Sequence, residues 1–128
     1  VLEHNLIDGL LGGAGSHIDG IQVMVGQDIA ICHNWIDPSA PPVDDGGVNA
    51  ALFFGPDDGP ISDVVVSHNR LLGGGSWYTL RLDCGGTIDV RGNRFDRDVM
   101  GSPVLNNGDP PTTWEDNAFD DGTPIPAP

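Results

Sequence analysis

Two short stretches of the chain set ionisable groups close enough to act together. Ser16-His17-Ile18-Asp19-Gly20-Ile21-Gln22 places an imidazole, His17, two residues from the carboxyl of Asp19. Arg81-Leu82-Asp83 places a guanidinium two residues from a second carboxyl. Such groups can hold, give or accept a proton, or neutralise a developing charge. The bland alternative for Arg81 and Asp83 is an exposed ion pair of little consequence. A second set suits binding. Gln22, Met24 and Phe53 occupy alternate positions of strand-like segments, and Trp77-Tyr78 follows Gly73-Gly74-Gly75. An amide, a thioether, a charge pair and exposed aromatic rings can stack on and hydrogen-bond a sugar ring. Trp77-Tyr78 could equally pack as a lid over its own loop.

Metal chemistry has less support. His4, His33 and His68 recur at repeat spacing rather than converging, and zinc needs nitrogens at about 2.0 Å from one point. The acidic pairs Asp44-Asp45 and Asp57-Asp58 each precede Gly, which reads as solvated turns more readily than as calcium loops. No resident metal or cofactor is expected; calcium is the one cation that paired acids could recruit.

The elements that must position these groups come from a repeat. An apolar-x-apolar strand followed by Asn, one residue and an apolar residue recurs around Asn5, Asn34, Asn69, Asn93 and Asn117. Between these copies lies a second strand pattern, as in Ile21-Gln22-Val23-Met24-Val25-Gly26, Ala50-Ala51-Leu52-Phe53-Phe54-Gly55 and Leu80-Arg81-Leu82-Asp83-Cys84-Gly85. Pro103 to Gly108 is a degraded copy. Repeats of about 20–50 residues with short alternating strands stack as solenoid coils, because one coil cannot bury its own apolar face. The reading is an all-β, right-handed parallel β-helix of about four to five coils over residues 1–122, with a Pro-rich tail over 123–128.

Stacking predicts ladders. The asparagines should form a buried column at one turn, since Asn tolerates left-handed backbone angles and bonds neighbouring amides. The histidines should form a second, solvent-facing column beside it. Ile21, Val23, Val25, Ala50, Leu52, Phe54, Leu80, Leu82 and Cys84 should face inward, and Gln22, Met24, Ala51, Phe53, Arg81 and Asp83 outward. Cys32 aligns with Ser67, Arg91 and Glu115 on the outer side, so no Cys32–Cys84 disulfide is expected.

The Asn ladder and the strand-Gly-strand-Asn coil resemble the parallel β-helix proteins of the pectate-lyase-like superfamily, from Val1 to about Asp121. His17-Ile18-Asp19-Gly20 is similar to the Asn-Thr-Asp-Gly motif of polygalacturonase-type glycoside hydrolases, which implies a catalytic role for Asp19. His17 stands where that motif has Asn, and the paired-Asp and Gly-His-Gly motifs of those enzymes are missing. The resemblance implies an extracellular or cell-surface protein that engages polysaccharide, as a lyase, a glycoside hydrolase or a binding domain. The alternative is a structural or adhesive solenoid without an active site.

Composition narrows the partners. The chain has 128 residues, 5 Lys+Arg against 19 Asp+Glu, and a net charge of −14. That charge repels nucleic acid and favours a neutral over an acidic glycan. No apolar run reaches the length of a membrane span. The chain opens at Val1-Leu2-Glu3, inside a coil, so either a longer parent solenoid or self-association is expected at that end.

Overall fold

The apolar residues of this chain alternate over stretches of only a few residues, and Gly, Asn or Asp interrupts each stretch. Helix formation is starved by that pattern, and short strands that turn corners are favoured. The computed structural model, described over residues 1–12, 15–39 and 47–128, contains strands and no helix. The first turn comprises β1 (Leu2–Glu3), β2 (Leu6–Ile7) and β3 (His17–Val23). The second comprises β4 (Gly26–Cys32), β5 (Trp35–Ile36) and β6 (Gly47–Phe54). The third comprises β7 (Ile61–Ser67), β8 (Arg70–Leu71) and β9 (Ser76–Leu82), and the fourth β10 (Gly85–Arg91), β11 (Arg94–Phe95) and β12 (Val99–Asn106). The strands β13 (Thr113–Glu115) and β14 (Ala118–Phe119) begin one more turn.

Equivalent strands pair in parallel, giving three sheets: A (β1-β4-β7-β10-β13), B (β2-β5-β8-β11-β14) and C (β3-β6-β9-β12). The molecule is a parallel β-solenoid of about four turns. Its interior is built of columns in register. Ile31, Val66 and Val90 stack on sheet A, Ile36, Leu71 and Phe95 on sheet B, and Leu52, Leu80 and Val104 on sheet C. All belong to one core cluster. The first-turn members Ile7, Ile21 and Val23 are only half-buried, because they have a covering coil on one side only. At the other end the chain reverses after Phe119. Phe119 N–H donates to the Thr123 carbonyl at 2.9 Å and Ile125 N–H to the Asn117 carbonyl at 3.0 Å. This fold-back buries Ile125 against the last turn, so the Pro-rich tail contributes to the core.

The asparagine column forms as the spacing predicts. Asn5, Asn34, Asn69 and Asn93 each donate through Nδ2 to the Oδ1 of the next Asn, at 2.9, 3.0, 3.1 and 3.0 Å. Each also donates its backbone N–H to the same oxygen. Remaining Nδ2 hydrogens bond strand carbonyls, such as Asn69 to Ile31 and Asn93 to Val66. Four of the five asparagines are buried, and burial at a corner is tolerable because nearly every polar atom has a partner.

One expectation about this turn is corrected. The left-handed residue is not the Asn but the residue before it: His4, His33, His68, Gly92 and Asp116 have φ of 57°, 56°, 55°, 65° and 52°. His, Asp and Gly are among the residues that accept this region. The left-handed step turns the corner, sends the imidazole outward and leaves the following Asn side chain inside, between coils. The His column therefore exists, with rings stacked at 5.2 Å for His4–His33 and 5.0 Å for His33–His68.

Strict alternation also fails twice. Val25, expected inward, lies beyond the end of β3 and is 53% exposed. Ala51 was expected outward, yet it packs in the core beside its neighbour Leu52. Gly20, one coil away at the same level, explains this: a Cβ there would collide with Ile36 in the core. The register also shifts just before this level, where β6 carries an extra residue, Asn49, between the partners of Ile18 and Asp19, and Ala51 and Leu52 both face the interior.

Candidate functional site

Sheet C carries the residues singled out for chemistry. Register places Gln22 beside Phe53, Phe53 beside Arg81, and Arg81 beside Leu105. The Arg81 guanidinium lies 4.5 Å over the centre of the Phe53 ring. It is held there by Asp83 Oδ2, which accepts from Nε at 2.9 Å and from Nη2 at 2.7 Å. Two donors on one oxygen, with an aromatic ring beneath, fix a side chain that would otherwise sweep a wide volume. The pair is part-buried, its side chains 29% and 14% exposed. Asp83 Oδ1 is buried and has no hydrogen-bond partner among the described residues. Phe53 points outward as expected, but its ring is only 8% exposed. It supports Arg81 rather than standing open to a ligand. Gly55 makes the packing feasible, since a Cβ there would overlap the Phe53 ring.

Asp19 sits near one end of β3. Its Oδ1 accepts a hydrogen bond from Asn49 Nδ2 at 3.0 Å. Partial burial pushes its pKa up, against the lowering effects of Asn49, the Ala50 amide, and the charges of His17 and Arg81. His17 is exposed at the start of the same strand. Asp19 is in register with Ala50, and Ala50 with Tyr78. Asp83 lies five residues beyond Tyr78, which at ~3.3 Å per residue is about 16 Å along the strand direction, before the two inter-strand steps of ~4.8 Å. The sheet therefore brings Arg81 and Asp83 together, and Phe53 with them, but holds Asp19 and Asp83 outside the about 5–10 Å window of two-carboxylate glycoside hydrolysis.

Among the remaining candidates, Gln22 is exposed, Met24 is 36% exposed and Trp77 is 55% exposed, while Tyr78 is half-buried. Trp77 thus offers an open ring. Asp57 and Asp58 form an exposed turn, with the Asp58 N–H donating to the Met24 carbonyl at 3.2 Å. Asp44-Asp45 lies outside the described residues. No group of His, Cys, Asp or Glu able to hold a metal is present among the described residues. Both thiols are free. Cys32 lies in register with Ser67, which is followed by Arg91 and Glu115, as expected. Cys84 is buried, and burial first, with the charges of Asp83 and Asp109, raises its pKa to about 11.

Sequence reasoning missed two features. Asn49, the partner of Asp19, falls in the β6 repeat but has no equivalent in the aligned copies. The residue after each ladder Asn forms an outer column on sheet B: Leu6, Trp35, Arg70, Arg94 and Ala118. Within it Arg70 lies 4.4 Å over the Trp35 ring and pairs with Asp120 at 2.9 Å. The five-fold recurrence of Asn followed by this position was the available signal.

No protein-family model matches the chain, and neither a curated protein nor a solved structure matches it.

Proposed function

We propose that the outer face of sheet C binds an extracellular polysaccharide, neutral rather than acidic, as a carbohydrate-engaging solenoid. The observation that carries this reading is the fixed Arg81: a guanidinium stacked on Phe53 and clamped by Asp83, with the exposed Gln22 on the far side of Phe53 in the same register row. A rigid donor array beside polar and aromatic neighbours recognises hydroxyl groups at little entropic cost. The similarity of the coil to the pectate-lyase-like superfamily supports the ligand class. The reading is of binding before cleavage, because the separation of Asp19 and Asp83 leaves no second carboxyl beside Arg81.

The test is a panel of neutral and uronic polysaccharides in affinity gels, with and without calcium, with 235 nm absorbance and reducing ends followed in parallel. Retardation by a neutral glycan that Arg81→Ala weakens is the expected result. Absence of retardation by every glycan would overturn the proposal. Cleavage that Asp19→Asn abolishes would restore the catalytic form of the reading.

A second reading has its own observation. The edge strands β1 and β2 expose apolar side chains, Leu2 at 37% and Leu6 at 66%, and unpaired strand edges invite pairing. A structural solenoid that assembles through this edge would show concentration-dependent mass in light scattering, and Leu6→Lys would abolish it.

A further inference from the structure

Outside sheet C, the imidazole column is interrupted in a way that makes a site. The column runs His4, His33, His68, then Gly92, then Asp116, one residue per coil. At its step of 5.0–5.2 Å a fourth ring would stand beside Gly92, where there is no side chain. One face of the His68 ring is covered by His33; the other lies over Gly92, where a Cβ would meet its Cδ2 at 2.9 Å, and the rest of the ring borders open space on the Asp116 side. This gap opens into a cavity of about 600 Å³, lined by His68, Gly92, Arg94, Trp114 and Asp116 among others. The volume is that of a small-molecule site.

The polar groups around the gap are also unspent. Arg70, Arg81, Arg91 and Arg97 each pair with a carboxylate. Arg94 has no carboxylate partner among the described residues; its Nη1 donates to the Asn93 and Asp116 carbonyls at 3.1 and 2.7 Å. These two bonds orient the guanidinium and leave Nε and Nη2 for a ligand. The geometry points to a binding site for a single pyranose ring, seated in the gap between His68 and Asp116 and beside Arg94. The C–H face of the pyranose lies on the imidazole, its hydroxyls accept from Arg94, and they donate to the Asp116 carboxylate. The inference shares its ligand class with the sheet C reading and none of its residues.

Nuclear magnetic resonance of the His68 ring, with methyl glucoside, methyl galactoside, methyl mannoside and methyl glucuronide as probes, tests it. A saturable shift of His68 is expected with at least one pyranoside. A response to the glucuronide alone would mean that Arg94 takes a carboxylate, and a response to the neutral sugars that it takes hydroxyls; both support the site. Arg94→Gln should weaken binding about tenfold, as loss of a charge-assisted bond does. Gly92→His restores the residue that the column carries at the same backbone angle in three other coils. Its Cβ would press the His68 ring at 2.9 Å, so that ring must swing outward to admit it; with circular dichroism showing the variant folded, the new side chain should fill the gap and abolish the response. No saturable shift with any probe, or a shift that survives Gly92→His, would overturn the proposal. Arg81→Ala should leave the His68 response intact, so failure of the sheet C reading and failure of this site are separable.

Discussion

Deletion of Asn69 probes the ladder most sharply. Among the described residues its Oδ1 is the acceptor for the buried Asn34 backbone N–H, at 2.9 Å, and it also accepts from Asn34 Nδ2 at 3.0 Å. Its Nδ2 donates to the Ile31 carbonyl at 2.8 Å and to Asn93 Oδ1 at 3.1 Å. In Asn69→Ala the Asn34 N–H is stranded, at about 1–3 kcal/mol for an unmet buried donor. Asn34 Nδ2 keeps the Leu2 and Cys32 carbonyls and Asn93 Oδ1 keeps the Asn69 N–H, so neither is stranded. Loss of the other amide bonds and the small void add roughly 2 kcal/mol, giving a total of about 3–5 kcal/mol. Asn5→Ala is the control. Asn5 Nδ2 donates to Glu3 and Asn34, but deletion strands nothing, since Asn34 Oδ1 still accepts the Asn5 N–H; the cost should be at most about 1 kcal/mol. Urea unfolding of the three proteins, followed by far-UV circular dichroism and tryptophan fluorescence together, measures the difference. Equal losses for the two variants, or a loss under about 1 kcal/mol for Asn69→Ala, would refute the view that hydrogen-bond satisfaction holds this corner.

Cys84 should resist iodoacetamide at about pH 8 while Cys32 is alkylated, because burial keeps Cys84 a thiol there; mass spectrometry of tryptic peptides decides it, and equal labelling would contradict the placement of Cys84. Burial raises the folded pKa of Asp19 above its unfolded value. The folded state then holds the Asp19 proton longer, so this group lowers stability as pH climbs from the ordinary carboxylate pKa through the raised one. Asp19→Asn keeps an acceptor for Asn49 and should gain stability relative to wild type between about pH 3 and pH 7, seen in paired denaturation curves; an unchanged difference would contradict it. A Cβ on Gly73 would overlap the Asp98 carbonyl oxygen, so Gly73→Ala should cost about 1–3 kcal/mol, with a normal melting temperature as the contrary result.

Much of the architecture was legible in the sequence because a solenoid writes its contacts as spacing. The Asn positions named their own partners, and the Cys32 and Leu52 columns followed from parity. What resisted is what spacing does not encode. His and Asn both tolerate left-handed angles, and only the need to keep the amide inside decides which adopts one. Ala51 turns inward because of Gly20, a residue on another coil. Phe53 reads as an exposed ring until Arg81 is laid over it. The cover that Ile125 provides depends on a chain reversal outside the repeat. In the candidate site, the pairing of Arg81 with Asp83 was local enough to see, whereas the separation of Asp19 from Asp83 needed the actual strand register.

The amides of the ladder all point the same way, each rung donating to the rung on the next coil. The stack is therefore polar, with an acceptor, Asn5 Oδ1, facing outward at one end. A coil that joins there must present a donor to that oxygen, so it adds in the same orientation. Loops between rungs are free to differ, as Asn-to-Asn separations of 24, 29 and 35 residues show. Such a molecule can vary its loops while its outward columns, which carry both candidate binding surfaces, keep their register.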